Sequence, residues 1–249
     1  MGGGTGGGGV AVCTLAAPPR EGRVSATLSI VVPALNEAAG IVATLQALAP
    51  LRERGAEVIV VDGGSRDATA ERARPWADRV IDGPRGRARQ LNAGAAVATS
   101  AHLLFLHADT RLPDAADALI AQALGSHALA WGRFDVVIEG RSRMFPVIAA
   151  LMNRRSRWSG IATGDQAMFM TRAAFDVAGG FPDQPLMEDI ELSSRLKRLR
   201  APVCLRERVV TSGRRWEQRG VWRTIVLMWR LRLLYALGVS ADRLAAWYR

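Results

Sequence analysis

The sequence has few cysteines and almost no lysine. Among its 249 residues only Cys13 and Cys204 are cysteines, which is too few for a disulfide framework and lacks the paired spacing of a zinc site. We therefore expect a reducing compartment, the cytoplasm. Lys197 is the single lysine beside 32 arginines. Part of the positive charge therefore reflects a general bias toward arginine and not a functional need for charge.

Long uninterrupted apolar runs are also missing. A helix that crosses a bilayer needs about 20 apolar residues with few charges, and Arg223, Arg230 and Arg232 interrupt the apolar C-terminal stretch. The glycine-rich residues 1–25 lack the basic start and long apolar run of a secretory signal. We predict that these residues form a disordered leader.

The formal charge of +10 is concentrated at one end of the chain. Residues 195–249 hold 14 basic and 3 acidic residues, whereas the rest holds 19 basic and 20 acidic ones. Since no nucleic-acid motif accompanies these charges, we expect no nucleic-acid partner. A membrane surface or an anionic ligand is the better match.

The first half of the chain alternates between strand and helix patterns. The stretches "TLSIVVPAL", "AEVIVVDGG" and "HLLFLHA" read as buried strands, with a short strand at 79–81 and a helix at about 88–97. Helical spacing follows the first two strands. This order predicts an α/β fold with a mostly parallel sheet and helices on both faces. Ligands of such sheets bind at the carboxyl ends of the strands.

The first turn of this predicted sheet excludes a dinucleotide-binding enzyme. The segment "PALNEAAG" has no glycine-rich fingerprint where a pyrophosphate would approach the backbone. Glu37 lies there instead, and its carboxylate would repel phosphates.

Six motifs together resemble family 2 glycosyltransferases. They are, in chain order, "SIVVPALNE", "VIVVDGGSRDAT", "GRARQLNAGA", "FLHADT", "GGF" and "MEDIELSSRL". The chain resembles the compact bacterial branch of this family, in which "HAD" replaces the aspartate triplet. The resemblance implies an inverting, metal-dependent enzyme of the GT-A fold. It predicts a GT-A domain at 26–216, with a nucleotide-binding half at 26–112 and an acceptor half at 113–216, and a C-terminal tail at 217–249.

The resemblance also implies which residues bind the nucleotide sugar. They are Pro33, Asn36, Glu37, Asp62, Arg87, Arg89, His107, Asp109, Arg214 and Arg215. Asp62 would accept a hydrogen bond from the base, which favours uracil and a UDP-sugar, although by itself it reads as a turn residue or helix cap. Among the arginines of the loop "GPRGRARQ", Arg89 is the strongest candidate and Arg87 the second.

Asp109 is the candidate metal ligand. Cleavage of a nucleotide sugar leaves a diphosphate whose charge a divalent cation neutralises. Carboxylate oxygen suits Mn²⁺ or Mg²⁺. His107 departs from the family's aspartate triplet; it either contacts ribose, metal or phosphate or is an ordinary core or turn residue. With one carboxylate fewer than the triplet offers, Mn²⁺ is favoured over Mg²⁺.

The acidic pair Glu188 and Asp189 begins a predicted helix. Two acids at a helix start stabilise its dipole in any protein, but the family uses this pair beside the acceptor. We assign Asp189 as the base that deprotonates the attacking hydroxyl. Direct displacement implies inversion at the anomeric carbon. Three residues are assigned to the acceptor, namely Asp165, Gln166 and Trp216.

The C-terminal tail is apolar, aromatic and basic. It is predicted to be an amphipathic helix that either lies on the membrane or folds back on the domain. A peripheral position on the inner face of the cell membrane would suit a lipid-like acceptor. Arg214, Arg215 and Trp216 resemble part of a motif of processive relatives, but its leading glutamine is missing, so we expect transfer of a single sugar.

Two other classes of function stay open at this point. A nucleotidyltransferase acting on a sugar phosphate would share the nucleotide half, although the glycine-rich, lysine-bearing first loop is missing. A noncatalytic protein that binds the membrane surface is the other alternative.

Overall fold

The computed structural model describes residues 27–248 and shows one eight-stranded sheet. The predicted leader at 1–25 lies outside the described residues. The strands are β1 (Ser29–Ala34), β2 (Glu57–Asp62), β3 (Arg79–Asp82), β4 (His102–Phe105), β5 (Thr110–Arg111), β6 (Trp131–Glu139), β7 (Met168–Thr171) and β8 (Val203–Ser212). Their order across the sheet is β3-β2-β1-β4-β7-β6-β8-β5.

The strands of the first half are parallel, as predicted. β1 pairs in parallel with β2 and β4, and β2 pairs in parallel with β3. The second half is mixed, because β7 is antiparallel to both β4 and β6, while β8 runs parallel to β6. The carboxyl ends of β1, β2 and β4 therefore meet at one edge of the sheet.

Eleven α-helices connect these strands in the described part of the chain. They are α1 (Ile41–Ala47), α2 (Ala49–Glu53), α3 (Thr69–Ala73), α4 (Arg87–Val97), α5 (Ala116–Leu124), α6 (Phe145–Ser159), α7 (Arg172–Val177), α8 (Glu188–Leu199), α9 (Arg214–Arg219), α10 (Val221–Ala236) and α11 (Ala241–Tyr248). Short 3₁₀ turns occupy Arg74–Trp76 and Gly164–Gln166.

Apolar layers cover both faces of the sheet, which confirms the predicted α/β class. Successive residues of β1 alternate between them, because side chains of a strand point to opposite faces: Ile30 and Val32 pack with α1 and α5, whereas Val31 packs with α4 and α8. At Gly94 of α4, an added Cβ would lie 2.3 Å from Cγ1 of Val31. This glycine lets α4 approach the sheet closely.

Helix α6 is fastened to β6 by a buried polar cluster. Arg133, on β6, is fully buried and donates to the backbone carbonyls of Phe134 and Asn153 and to the carboxylate of Asp135. Asn153, on α6, bonds both the N–H and the C=O of Val136. These contacts fix α6 across the second half of the sheet.

Several elements differ from the sequence prediction. The sequence predicts a helix that begins near Pro113, whereas α5 begins at Ala116. It also predicts that Asp165 and Gln166 lie at the start of a strand, whereas they form a 3₁₀ turn before β7. α6 and β8 were not predicted. The tail contains two long helices, α10 and α11, where one was expected.

Candidate active site

A cavity of about 470 Å³ opens at the carboxyl ends of β1 and β4. Its walls come from the loops after these strands, the loop before α4, the turn at Gly164–Gln166, the start of α8 and the C-terminal helices. Ten of the predicted site residues line it, namely Pro33, Glu37, Arg87, His107, Asp109, Asp165, Glu188, Asp189, Arg215 and Trp216. The fold thus gathers residues that lie up to 183 positions apart in the sequence.

Two predicted binding residues point into local structure instead of the cavity. Gln166 is fully buried, and its Oε1 accepts the N–H of Thr163 at 3.2 Å, which closes the turn. Oδ1 of Asn36 accepts the N–H of Arg66 at 2.8 Å, and Asn36 has a left-handed backbone (φ 55°). Their positions therefore give no support to binding of the acceptor substrate by Gln166 or of the nucleotide sugar by Asn36.

The two loop arginines lie in different places. Arg89 forms a two-pronged ion pair with Asp183, at 2.6 and 2.9 Å, on the surface and outside the cavity lining. Arg87 lines the cavity instead, with its Nη1 3.5 Å from Oε1 of Glu188. Because Arg87 starts α4 and Arg89 is two residues further along, the helical turn directs their side chains to different sides.

Asp62 ends β2 beside Ala34 of β1, which is in the cavity wall. Asp62 itself does not line the cavity. Its carboxylate accepts the backbone N–H of Ser65 at 3.0 Å and the Ser65 hydroxyl. Asp62 therefore acts as a turn residue, which the sequence offered as the alternative to a contact with the base. Each carboxylate oxygen keeps one further lone pair that could accept another hydrogen bond.

His107 lines the cavity and is tied to Asp165. Its Nδ1 lies 3.2 Å from Oδ1 of Asp165, and its Nε2 packs so close to Gly164 that an added Cβ there would be 2.3 Å away. Burial raises the pKa of Asp165, but the hydrogen bond and charge of His107, with the charges of Arg87 and Arg215, lower it to about 2. Asp165 is therefore a carboxylate held beside the cavity at neutral pH.

Asp109 presents a free carboxylate to the cavity. Within residues 27–248 its side chain has neither a hydrogen bond nor an ion pair, while its backbone C=O accepts the N–H of Ser212 at 3.2 Å. Those residues hold no cluster of three or more His, Cys, Asp or Glu side chains suited to a metal. A single carboxylate nevertheless fits Mg²⁺ or Mn²⁺, because such ions take most of their ligands from substrate phosphates and water.

The acidic pair at the start of α8 lies in two different environments. Glu188 is buried; this burial and the charge of Asp189 raise its pKa, while Arg87 opposes the shift. Asp189 is more exposed, and its two oxygens accept the N–H groups of Gly164 and Ile190, each at 2.8 Å. These bonds orient the Asp189 carboxylate at the cavity surface.

Glu37 is held by the C-terminal part of the chain. Its Oε2 accepts from Nη2 of Arg214 at 3.0 Å, and its Oε1 lies 3.6 Å from Nη2 of Arg215. Two arginines thus neutralise the Glu37 carboxylate, which by itself would repel a diphosphate. Arg214 lies outside the cavity lining and Arg215 within it, so Arg215 is the one placed to meet a ligand.

The C-terminal helices complete the cavity, which sequence analysis did not anticipate. Thr224, Leu227, Met228 and Arg232 of α10 line it together with Tyr248 of α11. The helical spacing of the first four residues is visible in the sequence, but it does not reveal which surface that face covers. One side of α10 and α11 packs on the domain through buried Leu231 and Leu244, as expected for a tail that folds back. The other side is exposed.

One further positioning residue was missed. The amide of Gln90, buried on α4, donates to the carbonyls of Ala34 and Val61, both at 2.8 Å. It therefore fixes the ends of β1 and β2 where the cavity begins. A glutamine within a helix gives no sequence signal of such a contact.

The fold is of the GT-A type, as comparison with solved structures shows. A mannosyltransferase from Pyrobaculum calidifontis, solved with GDP-Man and Mn²⁺, aligns with a TM-score of 0.59 and 23% identity over 84% of this chain and 61% of its own. Glucosyl-3-phosphoglycerate synthase from Mycobacterium tuberculosis, solved with Mg²⁺ and UDP, aligns with a TM-score of 0.51 and 22% identity over 75% and 70% of the two chains.

The sequence comparison then gives the family. A sequence model of Glycosyl transferase family 2 matches residues 29–181, which is more than half of the chain. The chain belongs to this family. A PGL/p-HBAD biosynthesis glycosyltransferase of Mycobacterium tuberculosis is 34% identical over 152 residues, covering 57% of this chain. The chain spans about half (54%) of the length of this curated relative.

Proposed function

We propose that the protein transfers one sugar from a nucleoside-diphosphate sugar to an acceptor hydroxyl by direct displacement. The observation that carries this proposal is that Asp109 and Asp189 present carboxylates to one cavity, at the edge where β1 and β4 end. One carboxylate suits a divalent cation and the other a proton. Membership of the family supports the same reaction.

Asp189 acts as the base in this proposal. The N–H groups of Gly164 and Ile190 hold its two oxygens in place, and a free lone pair takes the proton as the acceptor oxygen attacks the anomeric carbon. Glu188 is the poorer choice because it is buried against Arg87. Displacement from the face opposite the nucleotide inverts the anomeric configuration.

The donor side combines the end of β2 with residues that follow β3, β4 and β8. Arg87 and Arg215 bring positive charge to a diphosphate, and Asp109 would hold Mn²⁺ or Mg²⁺ there. When bound, the cation neutralises charge on the departing diphosphate. The remaining lone pairs of Asp62 suit the imide N–H of uracil, so we favour a UDP-sugar. The neighbouring structures solved with UDP or GDP-Man, each with a divalent cation, agree with this class of donor.

Nucleotide binding tests the proposal directly. UDP with Mn²⁺ at about 100 times its Kd should raise Tm by about 5–10 °C, because a ligand that binds only the folded state stabilises it. GDP should raise Tm less. The measurement is thermal unfolding with UDP, GDP and their sugars, each with Mn²⁺, with Mg²⁺ and with a chelator. If no nucleotide shifts Tm under any of these conditions, the proposed function is wrong.

The exposed side of the C-terminal helices supports peripheral membrane contact at the cytoplasmic face. On α10 an exposed apolar stripe recurs at helical spacing, namely Trp222, Val226, Trp229, Leu233 and Leu237. A second stripe on α6 contains Val147, Leu151 and Trp158, the last 90% exposed. α6 and α10 pack against each other through Phe145, Ile148, Val221 and Ile225. No helix within residues 27–248 is both long and apolar enough to cross a bilayer.

We propose that these two stripes contact an anionic lipid surface. Tryptophan prefers the headgroup region, and Arg154, Arg157, Arg223 and Arg230 lie on the same two helices. Replacing Trp222 and Trp229 together by serine should weaken binding to vesicles containing phosphatidylglycerol about tenfold or more. Vesicle co-sedimentation measures this. Val177→Ser, which removes an equally exposed apolar side chain on α7, is the matched control. If the double variant and the control bind these vesicles equally well, the two stripes do not bind the membrane.

A further inference from the structure

Two arginines from different helices meet beside the acidic pair and lack partners for several N–H groups. Nε and Nη2 of Arg155, on α6, and Nε of Arg232, on α10, are buried and have no hydrogen-bond partner among residues 27–248. Neither guanidinium forms an ion pair there. Buried donors are normally satisfied, so their exceptions require a reason.

The charges of this arginine pair are also only partly compensated. Burial, followed by the nearby charges of Arg232 and Arg133, lowers the pKa of Arg155 to about 10, against the opposing effect of Asp189. Burial likewise lowers the pKa of Arg232, while Asp189 and Asp165 act in the opposite direction. Like charges in a partly dry environment repel strongly.

The nearby carboxylates are engaged elsewhere. Asp189 accepts from Gly164 and Ile190, and Asp165 pairs with His107. Neither reaches the arginine pair with an ion pair, although both lie close enough to influence its charge. An additional anion is the partner that would satisfy both the orphan N–H groups and the excess positive charge.

The position of Arg232 indicates which substrate brings that anion. Arg232 lines the cavity on the same face of α10 as Leu227 and Met228, and the carboxylates that act on it include Asp189. The donor side has its own arginines, Arg87 and Arg215. Arg232 is therefore on the wall that faces the incoming hydroxyl.

We propose that Arg232, backed by Arg155, binds an anionic group of the acceptor, a phosphate or a carboxylate, and so holds the acceptor hydroxyl at Asp189. This proposal rests on the proposed function. Arg232 is the contact residue, and Arg155 is a positioning residue that adds a second charge behind it. The anion can belong to a soluble acceptor or to a lipid headgroup, because both present the same chemistry.

The test uses the full chain saturated with UDP and Mn²⁺, so that the diphosphate site is filled. Inorganic phosphate is then titrated while Tm is followed. Phosphate should bind the wild type and Arg143→Gln equally, since Arg143 is exposed just before α6. Binding should be about tenfold or more weaker in Arg232→Gln, and weaker to a lesser degree in Arg155→Gln. Arg143→Gln also corrects for general stabilisation by phosphate.

A second readout separates binding from a structural role. Without phosphate, Arg155→Gln and Arg232→Gln should unfold at the same Tm as the wild type or higher, because each removes repulsion and an unsatisfied group. Vesicles of phosphatidylcholine with phosphatidic acid, compared with phosphatidylcholine alone, identify the source of the anion. A headgroup source predicts that Arg232→Gln loses the preference for phosphatidic acid, whereas a soluble source predicts that only the phosphate titration changes.

Two outcomes would overturn the proposal. One is unchanged phosphate affinity in both variants. The other is a parallel loss of UDP binding, which would make the pair part of the donor site. Failure of the proposed function gives a different result, since UDP would then fail to stabilise even the wild type.

Discussion

Replacing Asp189 by asparagine should lower kcat by about 10²–10⁴-fold while UDP and Mn²⁺ still bind with unchanged affinity. Asparagine preserves the shape of the side chain and can still accept one backbone N–H, but it cannot take a proton from the acceptor. Of the two N–H groups, of Gly164 and Ile190, that now bond the carboxylate, the asparagine oxygen would keep one. The rate of UDP release from the UDP-sugar that binds best gives kcat, and titration calorimetry gives the nucleotide affinity.

Glu191→Gln is the matched control for this variant. Glu191 lies on the same helix two residues later, pairs with Arg195 at 3.0 Å and is not in the cavity wall. Its replacement should leave kcat within about twofold, because a partly exposed i,i+4 pair contributes little. Full activity of Asp189→Asn would remove the proposed base. Equal losses in both variants would indicate a general disturbance of α8.

Replacing Asp109 by asparagine should abolish the dependence of nucleotide binding on the divalent cation. The Asp109 carboxylate has no other partner within the described residues, so its charge is available for Mn²⁺ or Mg²⁺. Without that charge we expect kcat/KM to fall about 10²–10³-fold, in line with the loss of a group that stabilises developing negative charge. Calorimetric titration of UDP with Mn²⁺ and with a chelator measures the cation dependence.

Asp114→Asn controls for the loss of a negative charge from the same region, because Asp109 and Asp114 flank β5. Asp114 is exposed, five residues beyond Asp109 and outside the cavity wall. Its replacement should leave the metal effect intact. Should Asp109→Asn retain the full Mn²⁺-dependent affinity, Asp109 is not the metal ligand. His107→Gln adds a second check, since a residue tied to Asp165 should affect the cation dependence far less than Asp109 does.

The central strands of the parallel half were predictable because they are buried on both faces. The middle residues of β1 and β2 are consecutive apolar residues, and helical spacing follows each strand, so both type and order followed from the pattern. β8 was missed because Arg206, Glu207 and Arg208 interrupt any such pattern. α6 was missed although its buried face recurs regularly, because its first turns are apolar on the exposed side as well.

Site residues that belong to a sequence motif could be predicted. Contacts between a site residue and a residue distant in the sequence could not. Strand ends identified Asp109, and the acidic pair identified Asp189. The ion pair of Glu37 with Arg214 joins residues 177 positions apart, and the contact of His107 with Asp165 joins residues 58 apart. Such pairings depend on how the two halves fold together, for which a single sequence offers no local signal.

The packing of Met187 links the C-terminal helices to the acidic pair. Met187 is a buried non-glycine residue with a left-handed backbone (φ 65°), a conformation that few side chains adopt. It immediately precedes Glu188 and Asp189, and its side chain packs with Leu231 and Leu244. A disturbance of α10 or α11 would therefore reach the first turn of α8, and with it the orientation of the two carboxylates at the cavity.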